Sequence, residues 1–222
     1  MKVVKPDEGE ILDIELDKDL LRKNRELAEE NRRLLDQYKV HAIDVMGSIG
    51  SGKTSLITQL ITRLKGKHKM AAIAGDLTTS IDAERISSSG ASVIQINTGR
   101  ECHLDANLVR KAISELNLKG IDLLFIENVG NLICPADFPL GSHQRLVVIS
   151  VTEGPYMVVK HPFIFIDADA VAINKIDLAQ AMGVKTEQLE GQLLAIKPAL
   201  KVARTNCVTG EGVEGLIEVL GL

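Results

Sequence analysis

The sequence predicts an α/β protein in three layers, a mostly parallel sheet with helices on both faces, preceded by an N-terminal helix. Two observations carry this. Short apolar runs alternate with longer amphipathic segments through residues 39–222, the pattern of strands buried on both faces and joined by helical crossovers. The first of those runs leads straight into a glycine-rich turn that opens a helix. A chain of 222 residues is long enough to bury a substantial core.

From about Asp17 to Tyr38, the pairs Leu20/Leu21, Leu27/Ala28 and Leu34/Leu35 recur every seven residues and share one helical stripe. A coiled coil has the same spacing. Asn24 and Asn31 interrupt the stripe, so the helix is read as packing on its own domain. The expected organisation is an N-terminal segment and helix over 1–38 and a core domain over 39–222. In the core, VHAIDVM (40–46), MAAIAGD (70–76), SVIQIN (92–97) and IDLLFIE (121–127) read as strands, followed by RLVVISV (145–151), DAVAIN (169–174) and KVART (201–205). Between them, SGKTSLITQLITRL (51–64), DAERISSSG (82–90, closed by Gly90), DANLVRKAISEL (105–116), TEQLEGQLLAI (186–196) and VEGLIEVL (213–220) read as helices. Ligands of such sheets sit outside the carboxyl ends of the strands, and the motifs below all fall there.

Composition narrows the function classes. Hydrophobic residues make up 45%, charged residues 25%, and the net charge is −4, an ordinary soluble composition. With no basic field and 3% aromatic residues, no nucleic-acid partner is expected. The apolar runs are strand-length and the opening MKVVKPDEGE lacks an apolar signal core, so a cytoplasmic protein without a membrane partner is expected. Cys102, Cys134 and Cys207 are too few and odd in number for a disulfide framework, which leaves metal binding, catalysis or burial.

Gly47-Ser48-Ile49-Gly50-Ser51-Gly52-Lys53-Thr54 matches G-x-x-x-x-G-K-[ST] between a strand and a helix, which predicts a P-loop nucleoside triphosphatase. The backbone of Gly47, Ser48, Gly50, Ser51 and Gly52, with Ser55 just beyond, can wrap an oxyanion at a helix N-terminus. Lys53 would meet the terminal phosphates and Thr54 would ligate Mg²⁺. Asp76 and Glu127, each closing a strand, are the carboxylates expected to approach Mg²⁺ and, with Lys53, to form the catalytic set. Asp76 can equally be a turn or N-cap residue. Gly130 is placed to sense the terminal phosphate through its backbone. No glutamine or arginine finger is assigned, so slow intrinsic hydrolysis that needs a second chain or a partner is expected.

Asn174-Lys175-Ile176-Asp177 follows a later strand and fits a guanine site. Asp177 can accept both the N1 and N2 protons of guanine, Asn174 can reach the base edge, and the Lys175 stem can lie along the ring. Thr209 and Gly210, in the NCVTGEG loop, would close over the base. GTP and GDP are therefore the expected nucleotides.

The segments RECHLD and LICPADF both leave strand ends on the same rim. They carry Cys102, His103 and Cys134, a donor set suited to Ni²⁺ or Zn²⁺. Three donors do not complete a shell, so an open position, a bridging ion or a symmetric second chain must do so. The other reading makes both cysteines small buried apolar residues and lets His103 flank a helix. Cys134 lies seven residues after Glu127, so a switch movement could reach it. Cys207 reads as a buried loop residue. His41, His68, His143 and His161 have no ligand spacing.

Taken together, GSIGSGKTS, GD followed by DAER, CHLDA, FIENVGNLICPADFPLG, NKIDL and NCVTGEG make the sequence resemble the HypB family of hydrogenase nickel-incorporation GTPases, over nearly its whole length. That resemblance implies a metallochaperone that binds nickel or zinc through Cys102, His103 and Cys134 at a homodimer interface, with dimerisation promoted by GTP. It implies Lys53, Thr54, Asp76 and Glu127 for phosphate and magnesium, and Asn174 and Asp177 for guanine. It also implies two partners, a second hydrogenase maturation protein and a hydrogenase large-subunit precursor. Residues 1–38 contain neither the cysteine motif nor the histidine-rich tract of some bacterial members, so only the site near the switch is expected to hold metal. The urease accessory GTPases use a Cys-Pro-His motif that neither segment matches. The alternatives are an accessory GTPase for urease or methylmalonyl-CoA mutase, and a GTP-dependent dimerisation switch with structural cysteines.

Overall fold

The structure, a computed structural model, describes residues 14–222, with side chains from Lys18 onward; residues 1–13 of the N-terminal segment lie outside the described residues. The strands are β1 (His41–Gly47), β2 (Met70–Asp76), β3 (Ser92–Asn97), β4 (Leu123–Glu127), β5 (Gln144–Ser150), β6 (Ala170–Asn174) and β7 (Lys201–Arg204). They form one sheet in the order β3-β2-β4-β1-β5-β6-β7, parallel at every pairing. The helices are α1 (Ile14–Tyr38), α2 (Lys53–Leu64), α3 (Ile81–Ser87), α4 (Ala106–Ser114), α5 (Cys134–Asp137), α6 (Met157–Lys160), α7 (Phe163–Ile166), α8 (Thr186–Ile196) and α9 (Val213–Leu220). The expected α/β fold with its N-terminal helix is what the chain adopts. Sequence periodicity missed α5, α6 and α7, because four residues give barely one turn and no repeat to detect.

Burial of the strands on both faces explains their unbroken apolar runs: every residue of β4 and β6 is buried. One face packs Ile43, Val45, Phe125 and Val148 against Leu56, Ile57 and Leu60 of α2 and Leu216 of α9. On the other face, Ile73, Leu124 and Ile126 lie under Leu35 and Val109, while Val147, Ile149 and Ile173 lie under Ile164, Phe165, Leu189 and Leu193.

The two asparagines that interrupt the α1 stripe anchor that helix. Asn24 Nδ2 donates to Pro139 O (2.9 Å) and its Oδ1 accepts from Ala106 N (2.8 Å). Asn31 Nδ2 donates to Ala106 O (2.8 Å) and Leu140 O (3.1 Å). The 139–141 backbone can come this close only because position 141 is glycine: at φ +94°, a Cβ there would lie 2.4 Å from Ala28 O.

Asp44 sits fully buried in the middle of β1. Its Oδ1 accepts from Asn128 Nδ2 at 3.3 Å, and its Oδ2 has no partner. Burial pushes its carboxyl up to about 6, opposed by the Arg145 charge and the Asn128 bond. A raised folded-state pKa favours the native state while the carboxyl is protonated, and this advantage is lost as pH climbs from the unfolded value to the folded one. Asp44→Asn keeps the acceptor and removes the charge. We expect it to unfold like wild type near pH 4 and to gain stability over wild type as pH rises to about 6. Above that the gain should hold steady at about 2–3 kcal/mol, at roughly 1.4 kcal/mol per pH unit. Urea unfolding at a series of pH values checks this, and a pH-independent difference would refute it.

Candidate nucleotide and metal site

The turn after β1 requires its glycines. Gly52 precedes α2 at φ +105°, and a Cβ there would lie 2.2 Å from Asn174 Nδ2. A Cβ at Gly47 would lie 2.2 Å from Val148 O. The turn therefore lies flat against β5 and the β6 end, with the N-terminus of α2 facing a cleft of about 410 Å³. Gly50, the 52–55 segment, Asp76, Asp82, Arg85, Glu127, Gly130 and Lys175 line it. The unpaired amides at a helix start and the concave backbone make such a cleft a phosphate receptor. Lys53 Nζ folds over the turn and donates to Gly47 O (3.2 Å) and Ser48 O (3.0 Å). Burial lowers its pKa, while the carboxylates of Glu127, Asp82, Glu153 and Asp76 oppose that shift. Ser48 donates to Glu153, whose other oxygen accepts from Ser150 N at 2.6 Å, so the turn is also tied to the end of β5.

Thr54 Oγ1 lies 2.8 Å from Asp82 Oδ1 and 2.7 Å from Glu127 Oε1. Its single proton serves one carboxylate at a time. Glu127 Oε2 is buried without a partner, and burial pushes the carboxyl up to about 7, against the Thr54 bond and the Lys53 charge. A hydroxyl and two carboxylates, one of them with a bare buried oxygen, fit a hard divalent cation such as Mg²⁺. Asp76 lines the same cleft, and its carboxylate accepts from Leu77 N and the Thr79 hydroxyl, which fixes the turn after β2. The carboxylate in contact with Thr54 besides Glu127 is Asp82, which the sequence pattern did not single out.

At the base end, Asn174 is largely committed to the protein. Its Nδ2 donates to Ser51 O (2.9 Å), and its Oδ1 accepts from Thr205 Oγ1 (3.2 Å) and Cys207 N (3.3 Å). One amide hydrogen remains for a base, so the residue read as a base contact is chiefly the tie between phosphate turn and base loop. Lys175 adopts φ 59° and lines the cleft, and Asp177 is exposed at the rim. Gly210 N bonds Asn206 O (2.8 Å), and Arg63 donates to Gly210 O (3.3 Å), fixing the loop that holds Thr209. Cys207 is buried, and burial pushes its thiol up to about 11, in keeping with an inert loop residue.

Cys102, His103 and Cys134, 31 or more residues apart across the two segments, meet at the rim. Cys102 Sγ lies 3.0 Å from Cys134 Sγ and 3.8 Å from His103 Nδ1, and one donor atom of each lies within 4.8 Å of the others. Cys134 is the first residue of α5 with Pro135 behind it, and Asp105 caps α4 by accepting from Leu108 N (2.7 Å). The His103 ring packs on Phe138 at 3.9 Å between centroids. Burial lowers the His103 pKa, favouring the neutral imidazole that ligates metals. The neighbouring Cys134 thiol raises the pKa of Cys102. Cys102 is exposed and Cys134 only half-buried, unlike cysteines that fill a core.

Residues 41–204 match the family model described as CobW/HypB/UreG, nucleotide-binding domain. The probable hydrogenase maturation factor HypB of Methanocaldococcus jannaschii is 52% identical over 207 residues, 93% of this chain and 94% of that protein. The chain belongs to the HypB family. Among solved HypB structures, the hydrogenase maturation factor from Archaeoglobus fulgidus superposes with a TM-score of 0.84 at 43% identity, covering 90% of this chain and 98% of that one. HypB from Helicobacter pylori in complex with nickel gives 0.84 at 33% identity, covering 89% and 93%.

In this HypB-family chain the nucleotide cleft holds two residues that the sequence reading did not assign, Asp82 and Arg85. Both come from α3. Arg85 NH2 donates to Ser55 Oγ (2.9 Å), and its NH1 lies 3.6 Å from Asp82 Oδ1. The sequence reading assigned no arginine finger, yet an arginine of the same chain stands at the cleft wall. The signal in sequence was a short DAER helix beginning six residues after Asp76. Which side of that helix faces the phosphate turn is set by its packing on α2.

Proposed function

We propose that this HypB-family chain is a cytoplasmic GTPase and metallochaperone. It takes Ni²⁺ or Zn²⁺ as cargo on Cys102, His103 and Cys134 and serves nickel insertion into a nickel–iron hydrogenase precursor, together with a second maturation protein. The observation that carries this reading is one stretch of chain. It starts at Glu127, bonded to Thr54 of the phosphate turn, and ends at Cys134, in contact with Cys102. The names of the HypB relatives and the nickel complex of one of them support the cargo and the client.

The amides at the start of α2, with Lys53 and Arg85, bind the phosphates and stabilise the charge that builds as water attacks the γ-phosphorus and the β-phosphate oxygen leaves. Thr54, Asp82 and Glu127 would hold Mg²⁺, which would supply charge neutralisation at the phosphates. Asp76 shapes the turn beside them. Gly130 reads the terminal phosphate, and Asp177 accepts the guanine N–H groups. Three donors leave the cargo shell incomplete, and Ile49 and Ile133 stand 81% and 65% exposed on this face, so a second copy of the chain completes it when GTP is bound.

Asp177→Ala is expected to weaken GTP binding by about 10- to 100-fold, the loss of charge-assisted hydrogen bonds, and to leave the weak ATP affinity unchanged. Competition binding with both nucleotides measures this. Equal affinity of wild type for ATP and GTP would end the guanine assignment.

A further inference from the structure

We infer that Asn128 and Asn131 form a clamp that transmits the state of the phosphate turn to the Cys102–His103 pair, an inference resting on the reading above that this pair holds a metal. The two asparagines grip the backbone on either side of His103. Asn128 is fully buried, and its Oδ1 accepts from Leu104 N at 3.0 Å. Asn131 Nδ2 donates to Cys102 O at 3.3 Å. The same four-residue stretch also touches the phosphate turn twice. Asn131 N donates to Gly47 O at 3.1 Å. Gly130 lies flat on Ile49, where a Cβ would come within 2.4 Å of Ile49 Cγ1 and 2.9 Å of Ile49 N.

The far side of the cysteine–histidine segment is pinned as well. Leu104 is fully buried against Gly75, where a Cβ would lie 2.9 Å from its side chain. Residues 128–131 thus make two contacts with the phosphate turn and two with the Cys102–Leu104 backbone. If a terminal phosphate displaces Gly130, both ends of the Cys102–Leu104 segment must follow, because packed contacts shift as units rather than stretch. Asparagine suits the role. At position 131 one short side chain must donate to Cys102 O and accept from Ile133 N (2.9 Å) through separate atoms.

The test is Ni²⁺ titration of the full chain in wild-type, Asn131→Ala and Asn131→Asp forms, each with GDP and with a slowly hydrolysed GTP analogue in the presence of Mg²⁺. Aspartate keeps the acceptor for Ile133 N and lacks the donor to Cys102 O. The readout is the ratio of Ni²⁺ affinities in the two nucleotide states, from which any state-independent effect of the added charge cancels. Wild type is expected to show a ratio of about fivefold or more, the lower end of ordinary allosteric coupling. In both variants the ratio should fall to within about twofold of one, with Ni²⁺ stoichiometry and nucleotide affinity retained. Variants that keep the wild-type ratio overturn the clamp while leaving the metallochaperone reading intact. A wild-type ratio of one removes the nucleotide coupling proposed above, and the clamp with it. Loss of Ni²⁺ or nucleotide binding outright in the aspartate variant would show that Asn131 builds a site rather than links two, and would also overturn the inference.

Discussion

Lys53→Ala is expected to lower single-turnover GTP hydrolysis by about 10²- to 10³-fold, the usual cost of removing one preorganised donor from a developing charge. The ammonium is already held over the turn by Gly47 O and Ser48 O, so nothing needs to reorganise when the phosphate arrives. Its loss also leaves Glu127 without its strongest opposing charge, which would push the already raised Glu127 carboxyl further up. The variant should therefore need higher pH as well as more Mg²⁺ for what activity remains. Stability without nucleotide should not fall, because burial already disfavours this charge. Thermal unfolding recorded beside quenched-flow hydrolysis separates the two. Turnover within about tenfold of wild type would mean that Arg85 and the α2 amides suffice, and that Lys53 is mainly a brace for the turn.

Cys134→Ala should cost at least about 100-fold in Ni²⁺ or Zn²⁺ affinity, more than the 10- to 100-fold typical when only an outer partner of a ligand is removed. Two donors, Cys102 and His103, would remain on adjacent residues. Alanine is well tolerated at the first position of a short helix, so the local fold should persist and GTP affinity should be unchanged. Cys207→Ala serves as the control. That thiol is buried beneath the base loop, and Cys207→Ala should leave metal affinity as it was. In wild type, metal affinity should rise with pH, because the raised Cys102 thiol must lose its proton to ligate. Competition with a chromophoric chelator measures the metal affinities of both variants and of wild type across pH, titration with labelled GTP measures the nucleotide affinity, and an unchanged metal affinity in the Cys134 variant would remove this cluster as the cargo site.

Both predictions concern groups whose chemistry was legible in the sequence. A glycine turn ending in Lys53-Thr54 can sit between strand and helix in few ways, and its backbone geometry is dictated by residues that lack a Cβ. The strands were legible because burial on both faces demands continuous apolar runs. The short helices were not, and neither was the division of labour among carboxylates. Asp76 and Asp82 are six residues apart, and sequence favoured the one that ends a strand. Packing of α3 on α2 also brings Asp82 to Thr54 and Arg85 to Ser55, while Asp76 accepts from the turn that follows it.

The three-layer α/β order, the phosphate turn and the two residue types suited to Ni²⁺ or Zn²⁺, cysteine and histidine, were readable from sequence, because each depends on local pattern and intrinsic side-chain chemistry. It took the packed chain to show that Cys102, His103 and Cys134 meet, that Asn174 bonds both the phosphate turn and the 205–207 segment, and that Asn128 and Asn131 bond the backbone on either side of His103. Those are contacts between strand ends far apart in the chain. Which ends become neighbours is fixed by the sheet order β3-β2-β4-β1, and that order is set by how the helices share the two faces of the core.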